Sequence, residues 1–140
     1  MIESAFFDSN IFLYAYSIDP IDGPKSDLAL EILATWQPIV STQVLQEFNA
    51  NALRKPQLGI DESKIDEFLS FTAELAICSL SLDLIQHATA LRRRFQFSHW
   101  DSTIVAAAHA SGCTTLFSED LQHGFQLDHL TIINPFHSPS

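Results

Sequence analysis

Ala5-Phe6-Phe7-Asp8-Ser9-Asn10-Ile11-Phe12-Leu13-Tyr14 changes from one apolar pattern to another across a single carboxylate. Ala5 to Phe7 is a short unbroken apolar run, as in a strand buried on both faces. Asp8, Ser9 and Asn10 are cap residues, because their side-chain oxygens accept the unpaired N–H groups of a first helical turn. Ile11 to Tyr14 then continue as a helix. A buried strand that runs straight into a helix is half of a βα unit. Its acid sits at the carboxyl end of the strand, where open α/β sheets place their sites.

The alternation continues outward from that unit. Asp19-Pro20 and Asp22-Gly23-Pro24 are loop signals. Leu28, Ile32 and Trp36 share one face of a helix over 26–36, which Pro38 ends. Ile39-Val40 reads as a second strand, with Ser41 or Thr42 capping a helix over 43–54 that carries Val44, Leu45, Phe48 and Ala52. Gly59 and Asp61 open another helix, with Ile65, Phe68, Leu69 and Thr72 on one side. Leu75–Cys78 is a third strand, and residues 83–95 repeat Leu84, Ala88, Leu91 and Phe95. Trp100 to Ala110 is an Ala-rich helix closed by Gly112. Thr114–Phe117 and Leu130–Ile133 complete about five strands. Strands separated by helices imply a mainly parallel sheet covered on both faces, a three-layer α/β/α domain. It spans residues 1–136, and 137–140 form a short C-terminal tail expected to be disordered.

The 140 residues are one domain's worth of chain, and a 46% hydrophobic fraction with 11 Phe residues supplies an aromatic core. No apolar stretch reaches the ~20 residues of a membrane span, and there is no basic-then-apolar leader, so a cytoplasmic protein is expected. Cys78 and Cys113 stand apart in apolar surroundings and read as reduced core residues. Net charge is −10, which argues against nucleic-acid binding through the overall field. Local positive charge is the way round this. Arg92-Arg93-Arg94 and Arg54-Lys55 hold five of the seven basic residues, although cations at helix ends also serve the helix dipole.

Four acids stand at or near element boundaries: Asp8, Glu47 one turn into its helix, Asp101 and Asp120. Each has a plain structural role available. Asp8 can cap. Glu47, with Asn51 one turn on, can lie on the flank of its helix. Asp101 fits a capping box with Ser98. Ser118-Glu119-Asp120 can be a polar turn. Together they would gather four carboxylates at the carboxyl ends of the strands, where mutual repulsion calls for a divalent cation and phosphodiester chemistry follows.

The order and spacing resemble the PIN domain family. The segments that carry the resemblance are Phe6-Phe7-Asp8-Ser9-Asn10, Ser41 to Phe48 around Glu47, Trp100 to Ala108 with Asp101, and Leu116 to Gly124 with Ser118 and Asp120. Ile133-Asn134-Pro135-Phe136 is similar to the family's closing segment, and the last two acid-bearing segments point to its VapC-type toxins. The resemblance implies a Mg²⁺- or Mn²⁺-dependent ribonuclease of a toxin–antitoxin pair, leaving 5′-phosphate and 3′-hydroxyl ends. It implies that Asp8, Asp101 and Asp120 are direct or water-mediated metal ligands and that Glu47 holds a metal-bound water or second ion. Asn10 and Ser118 would orient the ligands, and Arg92, Arg93 and Arg94 would contact RNA phosphates. An antitoxin is the implied protein partner, on a groove that includes part of Ile11–Tyr14, and a homodimer is the implied assembly. A phosphoreceiver domain would need a late Lys, and none follows Lys64. An aspartyl phosphatase would need Asp-x-Asp where this chain has Asp8-Ser9-Asn10. The alternative reading is a non-catalytic PIN-like module that binds RNA or protein.

Overall fold

A computed structural model of the chain describes residues 2–138. β1 (Ser4–Phe7) is fully buried from Ala5 onward and leads directly into α1 (Ser9–Tyr16), whose N-cap is Asp8. A 3-10 turn over Pro20–Asp22 precedes α2 (Gly23–Thr35), followed by β2 (Gln37–Ser41) and α3 (Thr42–Arg54). α4 (Glu62–Thr72), β3 (Ala76–Cys78), α5 (Leu82–Phe95) and α6 (His99–Ala110) come next, then β4 (Thr115–Phe117), β5 (Gln126–Leu127) and β6 (Leu130–Ile133).

The described residues form one six-stranded sheet in the order β3-β2-β1-β4-β6-β5, parallel except where β5 pairs with β6. Six strands replace the five expected. β5 is two residues long and too short to show a period of two. Pro38 also lies inside β2 and does not merely precede it. It pairs with Ala5 of β1, while β3 begins only opposite Ile39, so the missing N–H faces an edge with no partner strand.

The topology follows from handedness. β1 to β2 and β2 to β3 step one way across the sheet, and β3 to β4 steps back the other way. Right-handed crossovers then put α1–α4 on one face and α5–α6 on the other. The contacts agree: α1 packs on α2 and α3, α3 on α4, and α5 along α6. The chain leaves β1 and β4 in opposite directions, so the switch point of the sheet lies between their carboxyl ends.

The core is apolar and strongly aromatic. Phe6, Phe7, Phe12, Phe48 and Phe68 are fully buried, and Phe48 stacks on Phe68 with ring centroids 3.7 Å apart. The expected helix stripes hold, with Ile32, Val44, Phe48, Ile65, Phe68, Leu84 and Leu91 all inside. Leu69 is the exception at 38% exposed. Both cysteines are free; Cys113 is buried and Cys78 half-buried. His137 stacks on His123 at 4.2 Å, so the tail begins packed, while Pro139 and Ser140 lie outside the described residues. No helix among the described residues is long and apolar enough to cross a membrane.

Candidate active site at the switch point

Asp8 ends β1 in the extended conformation that an N-cap needs, and its Oδ1 accepts from the Ser9 N–H at 2.7 Å. Its other oxygen accepts from the Ser118 hydroxyl at 2.7 Å. Asp8 is only 5% exposed. Burial pushes its carboxyl up to about 7, against the opposing pull of the Ser118 and Ser9 hydrogen bonds. The charges of Glu47 and Asp120 raise it further. A capping aspartate has no need of such company, so capping alone does not explain its surroundings.

Ser118 follows β4 and is fully buried. Besides donating to Asp8, its oxygen accepts from the Asp120 N–H at 3.2 Å. Asn10, in the first turn of α1, donates to Asp120 Oδ2 at 3.2 Å and accepts from the Glu119 N–H at 3.3 Å. Two polar side chains therefore fasten the loop after β4 to the junction of β1 and α1. Asp120 itself is exposed and aimed by Asn10.

Glu47 comes from the middle of α3. Its Oε2 accepts from the Ser9 hydroxyl at 3.2 Å and its Oε1 from Gln43 Nε2 at 2.8 Å. Gln43 Nε2 also donates to the Trp100 carbonyl at 3.1 Å, which ties α3 to the first turn of α6. Asp101 stands in that turn, half-buried. Desolvation raises its pKa, the nearby Ser98 hydroxyl lowers it, and Asp120 raises it again. The cap bond runs from the Asp101 backbone N–H to Ser98 Oγ at 3.1 Å. Capping thus uses the backbone of Asp101 and leaves its carboxylate available.

The structure brings together Asp8, Glu47, Asp101 and Asp120, with Asn10 and Ser118 between them. Arg92, Arg93 and Arg94 occupy the last turn of α5, and the only segment between them and α6 is 96–98. Arg94 lies over the Phe95 ring at 4.5 Å. None of the three reaches the acids.

Three features escaped the sequence reading. Gln43 supports Glu47 from one helical turn away, a spacing visible in the sequence but not diagnostic without the fold. Tyr14 donates to Glu119 at 2.5 Å, and Lys25 pairs with the same carboxylate and lies 5.0 Å from the Tyr14 ring centre. Glu119 is thereby matched by its own cation and stands apart from the other four acids. Finally, a polar cleft of about 470 Å³ opens beside the acids, lined by Ser9, Asn10 and Asp120 on one side and Asn51, Arg54 and Lys55 on the other.

The donors are all carboxylate, hydroxyl and amide oxygens, the set that suits hard cations such as Mg²⁺ and Mn²⁺. Among the described residues no three acidic, histidine or cysteine side chains meet closely enough to grip an ion as they stand. The acids instead lie within range of one another's charge: burial raises Asp8 and Asp101 most, and Glu47 and Asp120 add to the rise at Asp8 and Asp120 to that at Asp101. A cation relieves that strain, so the donor chemistry fits one.

The PIN domain family profile matches residues 5–125. The chain belongs to the PIN domain family. Solved structures share the fold. A toxin–antitoxin complex from Klebsiella pneumoniae matches at TM-score 0.70 and 20% identity, over 96% of this chain and 100% of that one. Mycobacterium tuberculosis VapC20, described as a sarcin-ricin loop cleaving toxin, matches at TM-score 0.64 and 16% identity, over 81% and 87%. VapBC2 from Rickettsia felis, bound to a fragment of its promoter DNA, matches at TM-score 0.64 and 24% identity, over 94% and 97%. No curated protein sequence matches significantly. For this PIN domain the expected three-layer α/β/α fold is the fold observed.

Proposed function

We propose that this PIN domain is a Mg²⁺- or Mn²⁺-dependent endoribonuclease and the toxin of a toxin–antitoxin pair, acting in the cytoplasm. The observation that carries the reading is the convergence of Asp8, Glu47, Asp101 and Asp120, from four separate elements, at the switch point. A structural role for each acid would not require Glu47 and Asp120 to lie close enough to add to the raised pKa of Asp8, nor Asp120 to that of Asp101. Asp8, Asp101 and Asp120 would hold the ion, directly or through water, and Glu47 would hold a metal-bound water or second ion. Such an ion supplies a nucleophilic hydroxide and neutralises charge at the scissile phosphate. Ser118 and Asn10 keep Asp8 and Asp120 aimed. Gln43 Oε1 is buried without a donor, beside the Glu47 it supports, and can accept from an incoming water. Arg92, Arg93 and Arg94, close in sequence to Asp101, would take RNA phosphates.

The antitoxin would sit in an apolar groove of about 550 Å³ between α1, α2 and α4, lined by Phe12, Tyr16, Leu30, Leu33 and Phe71 among others. Of Ile11–Tyr14, only Phe12 lines it; Ile11 is core, and Leu13 and Tyr14 face the polar cleft. Leu30 and Phe71, on α2 and α4, are exposed at 52% and 43%, an apolar surface of the kind that receives a partner helix. The three solved relatives are toxins or toxin–antitoxin complexes, which supports the same choice. A homodimer would bury a second apolar set, Leu80, Leu82, Ile85 and Trp100.

The test is incubation of purified protein with total cellular RNA in Mn²⁺ or in EDTA. Discrete fragments in Mn²⁺ alone, carrying 5′-phosphates, are expected. Equal RNA patterns in both, with Mn²⁺ bound, would favour the non-catalytic module.

A further inference from the structure

The chain has seven basic residues, and the structure accounts for several of them. Lys25 is spent on Glu119 and Tyr14. Lys64 donates to the Gly59 carbonyl at 3.1 Å. Arg92, Arg93 and Arg94 are on α5 and line no cleft with the acids. Arg54 and Lys55 differ. They line the polar cleft that also contains Ser9, Asn10 and Asp120, and neither has a carboxylate partner among the described residues. The cleft's other acids, Asp19, Asp22 and Glu119, make their contacts elsewhere and pair with neither cation. Asp19 Oδ1 caps the Ile21 N–H at 3.1 Å, Asp22 accepts from Ser17 at 2.7 Å, and Glu119 has Lys25.

α3 explains the placement. Gln43, Glu47 and Asn51 recur every four residues and form one stripe along α3, and Lys55 follows at its C-cap. The stripe starts at the Trp100 carbonyl, passes Glu47 and leads to Lys55. Asn51 donates to the Glu47 carbonyl at 2.9 Å, and its Oδ1 accepts from the Arg54 guanidinium, which holds that cation toward the stripe. Seven or eight residues of rise put the cations roughly 10 to 12 Å beyond Glu47. That is too far to act on the scissile phosphate and suits a neighbouring phosphate of the same strand.

We infer that Arg54 and Lys55 bind the phosphodiester backbone of single-stranded RNA next to the cleavage site, so that the strand lies along α3 in the polar cleft. This placement rests on the ribonuclease reading for the identity of the ligand. It also gives a chain of net charge −10 a local contact for RNA: two cations without an ion-pair partner face a cleft that Asp19, Asp22, Glu119 and Asp120 also line.

The experiment measures binding of a short, fluorescently labelled, mixed-sequence single-stranded oligoribonucleotide in Mg²⁺, on an Asp101→Asn background that suppresses turnover. Salt dependence is compared with and without Arg54→Gln and Lys55→Gln together, and melting curves check the fold. Two lost phosphate contacts should flatten the slope of log K against log salt by about 1.4. Cleavage of the same oligonucleotide is followed with Asp101 intact. A flattened slope without any cleavage would keep the inference and remove the nuclease reading. Cleavage with an unchanged slope would keep the nuclease and overturn the inference. No salt-dependent binding by the parent would overturn it too. So would a double variant that loses only affinity for the protein partner, since the cleft would then belong to that partner.

Discussion

Asp8→Asn should make the metal-free protein more stable at pH 8 and leave it unchanged at pH 4. In the unfolded chain Asp8 titrates near 3.8, and in the fold at about 7. Below pH 4 both states carry the proton and Asp8 contributes no pH dependence. As pH rises from 4 through 7, the unfolded chain has already released the proton that the folded chain still holds, so stability is lost across that window. Above 7 the penalty is complete. The difference of about three units corresponds to about 4 kcal/mol. Asn imitates the neutral acid, can still cap α1 and can still meet Ser118. The gain at pH 8 is therefore about 4 kcal/mol, or roughly 14 °C in melting temperature for a chain of this size. The assay is thermal melting in EDTA at both pH values. Equal melting temperatures at pH 8, or the same gain at pH 4 and pH 8, would refute the reasoning that burial keeps the Asp8 carboxyl protonated in the fold.

Mn²⁺ should raise the melting temperature of the native chain at pH 8 and do much less for Asp8→Asn; equal shifts in the two proteins would remove Asp8 from the ion site. Replacing Arg92, Arg93 and Arg94 together with Gln should flatten the salt dependence of RNA binding by about 2, if all three meet phosphates; an unchanged slope would leave them as helix-end charges. Leu30→Glu, on the exposed wall of the apolar groove, should cost antitoxin affinity at least tenfold in a pull-down or calorimetric titration while RNA cleavage is retained; unaltered affinity would place the antitoxin elsewhere.

Where local chemistry and tertiary structure agree, this fold can be read directly from the chain. Asp8, Ser41, Asp61 and Ser98 all cap helices at the boundaries their side chains announce. Buried strands show as short apolar runs because helices cover both faces. β5 was illegible because two residues carry no period, and Pro38 misled because its tolerance depends on where β3 begins. The four acids were legible only as a set. The partition between Glu119 and Asp120 was not legible at all: the residues are adjacent and chemically alike, and only the approach of Lys25 and Tyr14 from distant positions separates them. The cleft that joins Arg54 and Lys55 to Asp120 likewise depends on segments more than 60 residues apart.

Asp101 offers the sharpest test of the proposed site. Its capping bond uses the backbone N–H, so Asp101→Asn leaves Ser98 and the helix start intact. A structural Asp101 would therefore make the variant indistinguishable from the parent. The measurement is the rate of Mn²⁺-dependent RNA cleavage by Asp101→Asn beside the native protein, with melting curves for both. A loss of roughly a hundredfold or more in rate is expected, with stability equal or slightly raised. Full activity in a folded Asp101→Asn protein would contradict it.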